Sequence, residues 1–148
     1  LVARRGFPPR LRLKQRREFL RVQRGGAKHH VRHFMVFVSR RAPGQSPDGA
    51  DELPTRLGIT VTRKVGNAVT RNRIKRLVRE VFRVHRLRLP QGLDMVWVAK
   101  QQAAAATYAE VARDFEALVA RRAQLVEATR TQARGRRRRS EPKQKPKR

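Results

Sequence analysis

Two rhythms of apolar positions run along the chain. Phe19, Leu20 and Gln23 recur at helical spacing and predict a short helix over Leu13–Arg24, stopped by Gly25-Gly26. Pro8-Pro9 keeps the preceding segment extended. The stretch VRHFMVFVSR, 31–40, is rich in aromatic and β-branched residues and predicts a strand. Alternation puts Phe34, Val36 and Val38 on one face and His33, Met35 and Phe37 on the other, so both faces should be covered. Residues 41–54 hold Pro, Gly and three acids, and predict a surface loop. Arg56–Lys64 predicts a half-buried strand with Leu57, Ile59 and Val61 facing one way.

From Ala68 to Arg88 the period becomes helical, with Asn67 as the N-cap. Ile74, Leu77, Val78, Val81, Phe82, Val84 and His85 fall on one side of this helix. Asn72, Lys75, Arg76, Arg79, Arg83 and Arg86 fall on the other. Pro90-Gln91-Gly92 ends it. LDMVWVAK, 93–100, follows as a strand apolar on both faces and therefore central. Thr107 and Glu110 form a capping box for a last helix, whose stripe is Tyr108, Val111, Ala112, Phe115, Leu118 and Val119, ending near Arg122. Residues 133–148, ARGRRRRSEPKQKPKR, have no apolar residue beyond Ala and read as a Pro-broken basic tail, disordered when free.

The element order predicts an α/β (α+β) two-layer sandwich, one sheet with helices mainly on one face. An extra short strand fits near Ala27–His30 or in the loop, which brings the sheet to about four strands. The strand–helix–strand unit over 56–100 allows its two strands to run parallel. The division expected is an extended segment over 1–9, one folded domain over 10–123 and a disordered basic tail over 124–148.

Charge changes the picture from a fold to a partner. The 148 residues carry 38 Lys and Arg, 30 of them Arg, against 11 Asp and Glu, a formal charge of +27. It lies in blocks: +9 over 1–30, +9 over 63–88 and +8 over 131–148, with +1 over 31–62 and zero over 89–130. Neutral segments read as core and basic ones as contact surface for a polyanion. At 39% hydrophobic the chain can still bury a core. Cysteine is absent, which excludes disulfides, thiolate zinc sites and cysteine nucleophiles. No apolar run approaches the roughly 20 residues of a membrane span. The opening LVARRGFPPR lacks a secretory signal's apolar stretch, so a cytoplasmic protein is expected. It also lacks Met, which leaves open whether the natural N-terminus is present.

Catalytic patterns are weak. The acids do not cluster as a metal-dependent nuclease requires. Asp94 and Lys100 read as ordinary charged strand ends. His29 and His30 read as loop residues and His85 as a packed histidine, although an acid–base ribonuclease using His29, His30 and His33 stays open. No phosphate-cradling Gly loop and no GxSxG occur. A row of Arg forks on one helix face matches a row of RNA phosphates. Phe19, Met35 and Phe37 read equally as core and as a floor on which unpaired bases stack.

Residues 63–79, RKVGNAVTRNRIKRLVR, closely resemble the signature of the bacterial ribonuclease P protein component, centred on Arg71-Asn72-Arg73. The early helix with Phe19, the strands RHFMVFVSR, RLGITVTR and DMVWVAK and the helix from Tyr108 agree with it, so the resemblance covers about 10–122. It implies a ribonuclease P protein-like fold, a mixed sheet with a left-handed strand–helix–strand crossover, against the usual rule. It implies a subunit of an endoribonuclease that removes the 5′ leader of precursor tRNA. There the RNA subunit is the catalyst, with Mg²⁺ bound mainly by that RNA. The protein then supplies no catalytic residue and no metal ligand.

Carried over by position, Arg63, Lys64, Asn67, Arg71, Asn72, Arg73, Lys75, Arg76 and Arg79 would face the catalytic RNA, and Phe19, Gln23, Met35 and Phe37 the leader. Gln23 stands where the family often has a second aromatic, and Phe37 where it often has a Tyr. Hydrogen bonding would replace stacking at the first, and a hydroxyl contact is lost at the second. The implied partners are ribonuclease P catalytic RNA and precursor tRNA, with no membrane and no obligate protein partner. The rivals are a basic RNA chaperone or ribosomal protein, and the histidine ribonuclease.

Overall fold

A computed structural model describes residues 7–40 and 54–125; the loop up to residue 53 and the tail from 126 lie outside the described residues. Four strands form one mixed sheet. They are β1 (Ala27–His30), β2 (Phe34–Arg40), β3 (Arg56–Thr60) and β4 (Leu93–Ala99), in spatial order β1-β2-β4-β3. β1 is antiparallel to β2 and β2 to β4, while β3 runs parallel to β4. The helices are α1 (Arg16–Gly25), α2 (Ala68–His85) and α3 (Tyr108–Ala120), and α2 is the crossover from β3 to β4. The central strand is the one whose sequence is apolar on both faces. Every residue of β4 except Val98 is buried.

One face of the sheet makes the main core. Phe34, Val36 and Val38 of β2 and Met95 and Trp97 of β4 pack with Ile74, Val78, Val81 and Phe82 of α2 and Val111, Phe115 and Leu118 of α3. Trp97 lies between Phe34 and Phe115, with ring centroids 5.2 and 6.1 Å away. α1 crosses the other face, where Leu13, Val22 and Val96 are buried with Phe19, Phe37 and Val98 against them. Packing runs beyond the expected 10–123 at both ends: Phe7 meets Phe82 edge-on and Leu125 is fully buried.

Several boundaries differ from the sequence reading, each for a physical reason. α1 begins at Arg16 rather than Leu13, because Leu13 donates its N–H to the Leu57 carbonyl and Arg12 bridges Leu57 in parallel. That extended segment covers the outer edge of β3. The strand predicted over 31–40 begins only at Phe34, because residues 31–33 make the β1–β2 turn, closed by Val31 N–H on the Phe34 carbonyl. β3 stops at Thr60, with Val61 and Val65 buried in the turn that leads to α2. α2 ends at His85 and tightens into a 3₁₀ turn over Arg86–Arg88. Gly92, at φ 81°, makes the left-handed step into β4 that a side chain would strain. Both caps form: Asn67 Oδ1 accepts from Thr70 N at 2.9 Å, and Thr107 and Glu110 make the reciprocal box.

Asp94 corrects the reading of a charged strand end. It is fully buried on the α1 face. Arg56 of β3 clasps it through Nε to Oδ1 and Nη2 to Oδ2, both 2.8 Å, and Arg21 of α1 reaches Oδ2 at 2.5 Å. Glu18 lies 3.9 Å from Arg56. The carboxylate raises the Arg56 pKa, chiefly through the hydrogen bond and against the cost of burial. Two cations from different elements meet on one desolvated anion, and α1 is thereby fixed over the sheet. Asp94→Asn keeps the shape and removes the charge; the expected loss in urea unfolding is about 3–5 kcal/mol, the range for breaking a buried pair. A loss below about 1 kcal/mol would mean that water already screens the pair.

Candidate nucleic-acid interface

α2 divides as its period predicts. Ile74, Val78, Val81 and Phe82 are buried, while Asn72, Arg76 and Arg79 are exposed. Val84 departs from the expected seam: it is 44% exposed, because it lies at the seam's margin, past the reach of the sheet. His85 packs beside Phe115, with ring centroids 5.9 Å apart.

The residues named from the family signature do not form one row. Arg63 and Lys64 stand exposed in the turn before α2. Asn67 is exposed too, but its side-chain oxygen is engaged in capping. Arg71 is half-buried at one margin of the seam, and its Nε is buried without a hydrogen-bond partner. Arg73 leaves from the opposite margin. It donates from Nη1 to the Ala104 carbonyl at 3.2 Å and from Nη2 to that of Ala106 at 2.6 Å. These carbonyls belong to the 3₁₀ turn Gln101–Ala105 and the residue after it, so Arg73 ties α2 to the entry of α3. Lys75 is half-buried. The outward row is therefore Asn72, Arg76 and Arg79, with Arg83 continuing it in a pair with Glu80.

The second candidate surface is the sheet face under α1. Strand register places Lys28, Phe37, Val96 and Gly58 in one lateral row and His30, Met35, Val98 and Thr60 in the next. Phe19, Phe37 and Val98 pack against the buried cluster of Leu13, Val22 and Val96; Met35 and Gln23 are half-buried, Met35 in the outer row of the floor and Gln23 one turn after Phe19. Gly58 is what lets Phe19 approach: a Cβ there would lie 2.6 Å from the Phe19 ring. The Lys28 ammonium sits 5.9 Å from the Phe37 centroid, placing a cation over the aromatic floor. The outer row ends at Thr60, from which the chain turns into α2. The floor and the Arg71–Arg73 end of α2 thus share one end of the molecule.

Sequence reasoning missed Lys28, Gly58 and the Asp94 clasp. A glycine and a carboxylate inside otherwise apolar strands were the available signals.

The histidines do not converge. His29 pairs in register with Val36 on the core side, and burial, then the charge of Arg121, lowers its pKa. His30 is exposed on the open face. His33 does not share that face with Met35 and Phe37 as predicted. The β1–β2 turn redirects it to α3, where Nδ1 meets Asp114 Oδ2 at 2.7 Å and Nε2 lies 3.4 Å from Glu110. Glu110 is held below the usual carboxylate range by the Thr107 backbone and hydroxyl hydrogen bonds, with smaller help from His33. Among the described residues the other carboxylates are paired as well, Glu116 with Arg88 among them. Among the described residues no group of three His, Asp or Glu is placed to hold a metal ion, and no helix is long and apolar enough to cross a membrane.

The geometry separates two effects. Arg73→Ala removes two charge-assisted bonds to carbonyls and should cost about 1–2 kcal/mol; Tm then falls by roughly 4–8 °C or more. Arg76→Ala should leave Tm unchanged. Equal melting of the two variants would place Arg73 in the outward row.

A family model for ribonuclease P matches residues 7–123. The ribonuclease P protein component of Desulfovibrio desulfuricans is 46% identical over 120 residues, covering 79% of this chain and 86% of that protein. That of Syntrophus aciditrophicus is 38% identical over 115 residues, 78% and 89% of the two chains. The ribonuclease P proteins of Staphylococcus aureus and Thermotoga maritima, as solved structures, each superpose with a TM-score of 0.62 at 32% identity. They cover 78% and 74% of this chain and 96% of their own. The matched span takes in α1, the whole sheet, α2 and α3, and on that ground the chain belongs to the ribonuclease P protein component family.

Proposed function

We propose that this protein, as the accessory subunit of ribonuclease P, grips the catalytic RNA with the outward side of α2 and guides the 5′ leader of precursor tRNA over the open sheet face. The observation that carries this reading is the meeting of the two surfaces at one end of the molecule, where Thr60 leads into α2. Phosphates of the structured RNA meet Arg63, Lys64, Asn72, Arg76 and Arg79, with Arg71 and Lys75 at the margin. Asn67 and Arg73 act mainly by holding α2 in place. Release of condensed counterions supplies much of the affinity and makes it fall steeply with salt.

The leader is single-stranded, so its bases are free to stack. Phe19 and Phe37 offer ring surface, Met35 a polarisable floor and Gln23 a hydrogen-bonding edge where the family often has a ring. Lys28, above Phe37, neutralises a leader phosphate while the base below it stacks. Hydrolysis belongs to the RNA, which also holds most of the Mg²⁺; among the described residues the carboxylates are spent on arginine, histidine and cap contacts. The protein lowers the repulsion between two polyanions and so lowers the Mg²⁺ they require. Its place is the cytoplasm, where precursor tRNA is made.

A cleavage assay on precursor tRNA at low Mg²⁺ decides between this reading and a general RNA chaperone. Protein alone and bacterial ribonuclease P RNA alone should release no leader, and the two together should. In the same assay Phe19→Ala should weaken the complex with leader-bearing precursor by about tenfold, the scale of one lost base stack, and leave mature tRNA binding unchanged. Equal weakening of both would assign Phe19 to the core alone. Cleavage by the protein without RNA, lost on joint replacement of His29, His30 and His33 by Ala, would favour the histidine ribonuclease.

A further inference from the structure

We propose that the outer side of α1 and the segment leading into it form a second phosphate track, which takes the backbone of the same catalytic RNA as α2. The identity of that RNA rests on the reading of α2 given above. Residues 10–24 hold seven Lys and Arg against one acid. Neither the α2 row nor the leader floor draws on those cations.

Packing sets the direction of these side chains. Leu11 and Leu13 are buried, and Arg12 bridges Leu57 on the edge of β3. Arg10, Arg12 and Lys14 are thereby left exposed. Val22 is fully buried under α1 and Phe19 lies against Gly58, so Arg17, Arg21 and Arg24 leave from the opposite side of the helix. Arg12 and Lys14, two extended residues apart, are spaced by about 6.6 Å of strand rise. Arg17 and Arg21 are spaced by about 6 Å of helix rise. Both steps are close to that between neighbouring phosphates of an RNA strand. The single acid does not interrupt the row. Glu18 turns inward, accepting from Lys14 N at 3.3 Å and lying 3.9 Å from Arg56. Arg21 reaches back to Asp94, while Arg10, Lys14, Arg17 and Arg24 have no ion-pair partner among the described residues.

These charges work against the helix that carries them. Gln15 caps α1 without a side-chain hydrogen bond, and Arg16 and Arg17 sit in the first turn, where the helix dipole disfavours cations. Arg17 and Arg21 are like charges one turn apart. Local conflict of this kind marks a surface shaped for binding. Continuity selects the partner. The Arg12 guanidinium lies 4.8 Å from the Phe7 ring centroid, Phe7 meets Phe82 edge-on, and Phe7 lines a cavity with Asn72, Arg76 and Arg79. The track thus runs on from the outward row of α2 around the edge of β3. The leader floor lies across α1 from it, on the side of Phe19, so α1 stands between the structured RNA and the leader.

The full chain and its variants are titrated with bacterial ribonuclease P RNA over a range of KCl. Arg10→Gln, Lys14→Gln and Arg17→Gln together should lower the slope of log affinity against log salt by about one per side chain, about three in all. Arg113→Gln with Arg122→Gln, on α3 and just beyond it, should leave the slope nearly unchanged. The free triple variant should melt no lower than the wild type, because a cation is removed from the positive end of α1. Once assembled at saturating protein, its complex should bind precursor tRNA as tightly as the wild-type complex does. A slope equal to that of the α3 control, a lower Tm, or a loss confined to precursor binding would each overturn the proposal; the last would give the track to the precursor. Arg76→Gln with Arg79→Gln separates this proposal from the reading of α2. Loss at both places upholds both. Loss at α2 alone overturns the track and keeps that reading, whereas loss at the track alone upholds the track and overturns that reading. A wild type that does not bind the RNA overturns both.

Discussion

A chain of this charge folds only where its few apolar positions are gathered on one side of each element. The decisive case is α2, whose buried seam of Ile74, Val78, Val81 and Phe82 seats on the sheet. Once that seam is committed, the rotation of the helix is fixed, and the guanidinium groups have only the solvent side to occupy. Burial of four large side chains contributes several kcal/mol, while mutual repulsion of exposed arginines in water is weak and screened by salt. Packing therefore wins, and it leaves a cationic surface in a fixed orientation at no further entropic cost. A preorganised row of this kind loses less freedom on binding RNA than a flexible basic tail would.

The same logic places the second surface. Asp94, clasped by Arg21 and Arg56, joins α1, β3 and β4 through one desolvated charge. α1 then has a defined position over the sheet, and Gly58 lets Phe19 settle onto it. What stays open is the half of the floor toward Met35, Val98 and Thr60, which runs on into the turn before α2. A structured RNA on one side and a single strand on the other can approach the molecule at neighbouring places without sharing side chains.

Much of this was legible in the sequence because it is local. Period and capping chemistry gave α2 with Asn67 as its cap and α3 with its Thr107–Glu110 box, and an unbroken apolar run marked β4 as central. The family resemblance supplied the candidate RNA-facing residues. What the sequence hid depends on partners distant along the chain. Asp94 reads as a strand end until Arg21, 73 residues earlier, is seen to reach it. His33 belongs to the alternation of β2 until a turn sends it to Asp114, 81 residues later. Arg73 sits in the signature triplet, yet its outlet is the pair of carbonyls before α3. Spacing along a helix shows which side a residue leaves from, and not what it finds there.

The absence of cysteine permits a direct test of where the RNA lies. Single cysteines at position 76 on the outward side of α2 and at position 113 on α3 can each carry a tethered iron chelate that cleaves nearby RNA. With bacterial ribonuclease P RNA bound, the chelate at 76 should cut the RNA at a few defined nucleotides and the chelate at 113 should cut weakly or not at all. Strong cutting from 113 with none from 76 would contradict the account, because the side of α2 that packing turns outward would then not be the side the RNA meets.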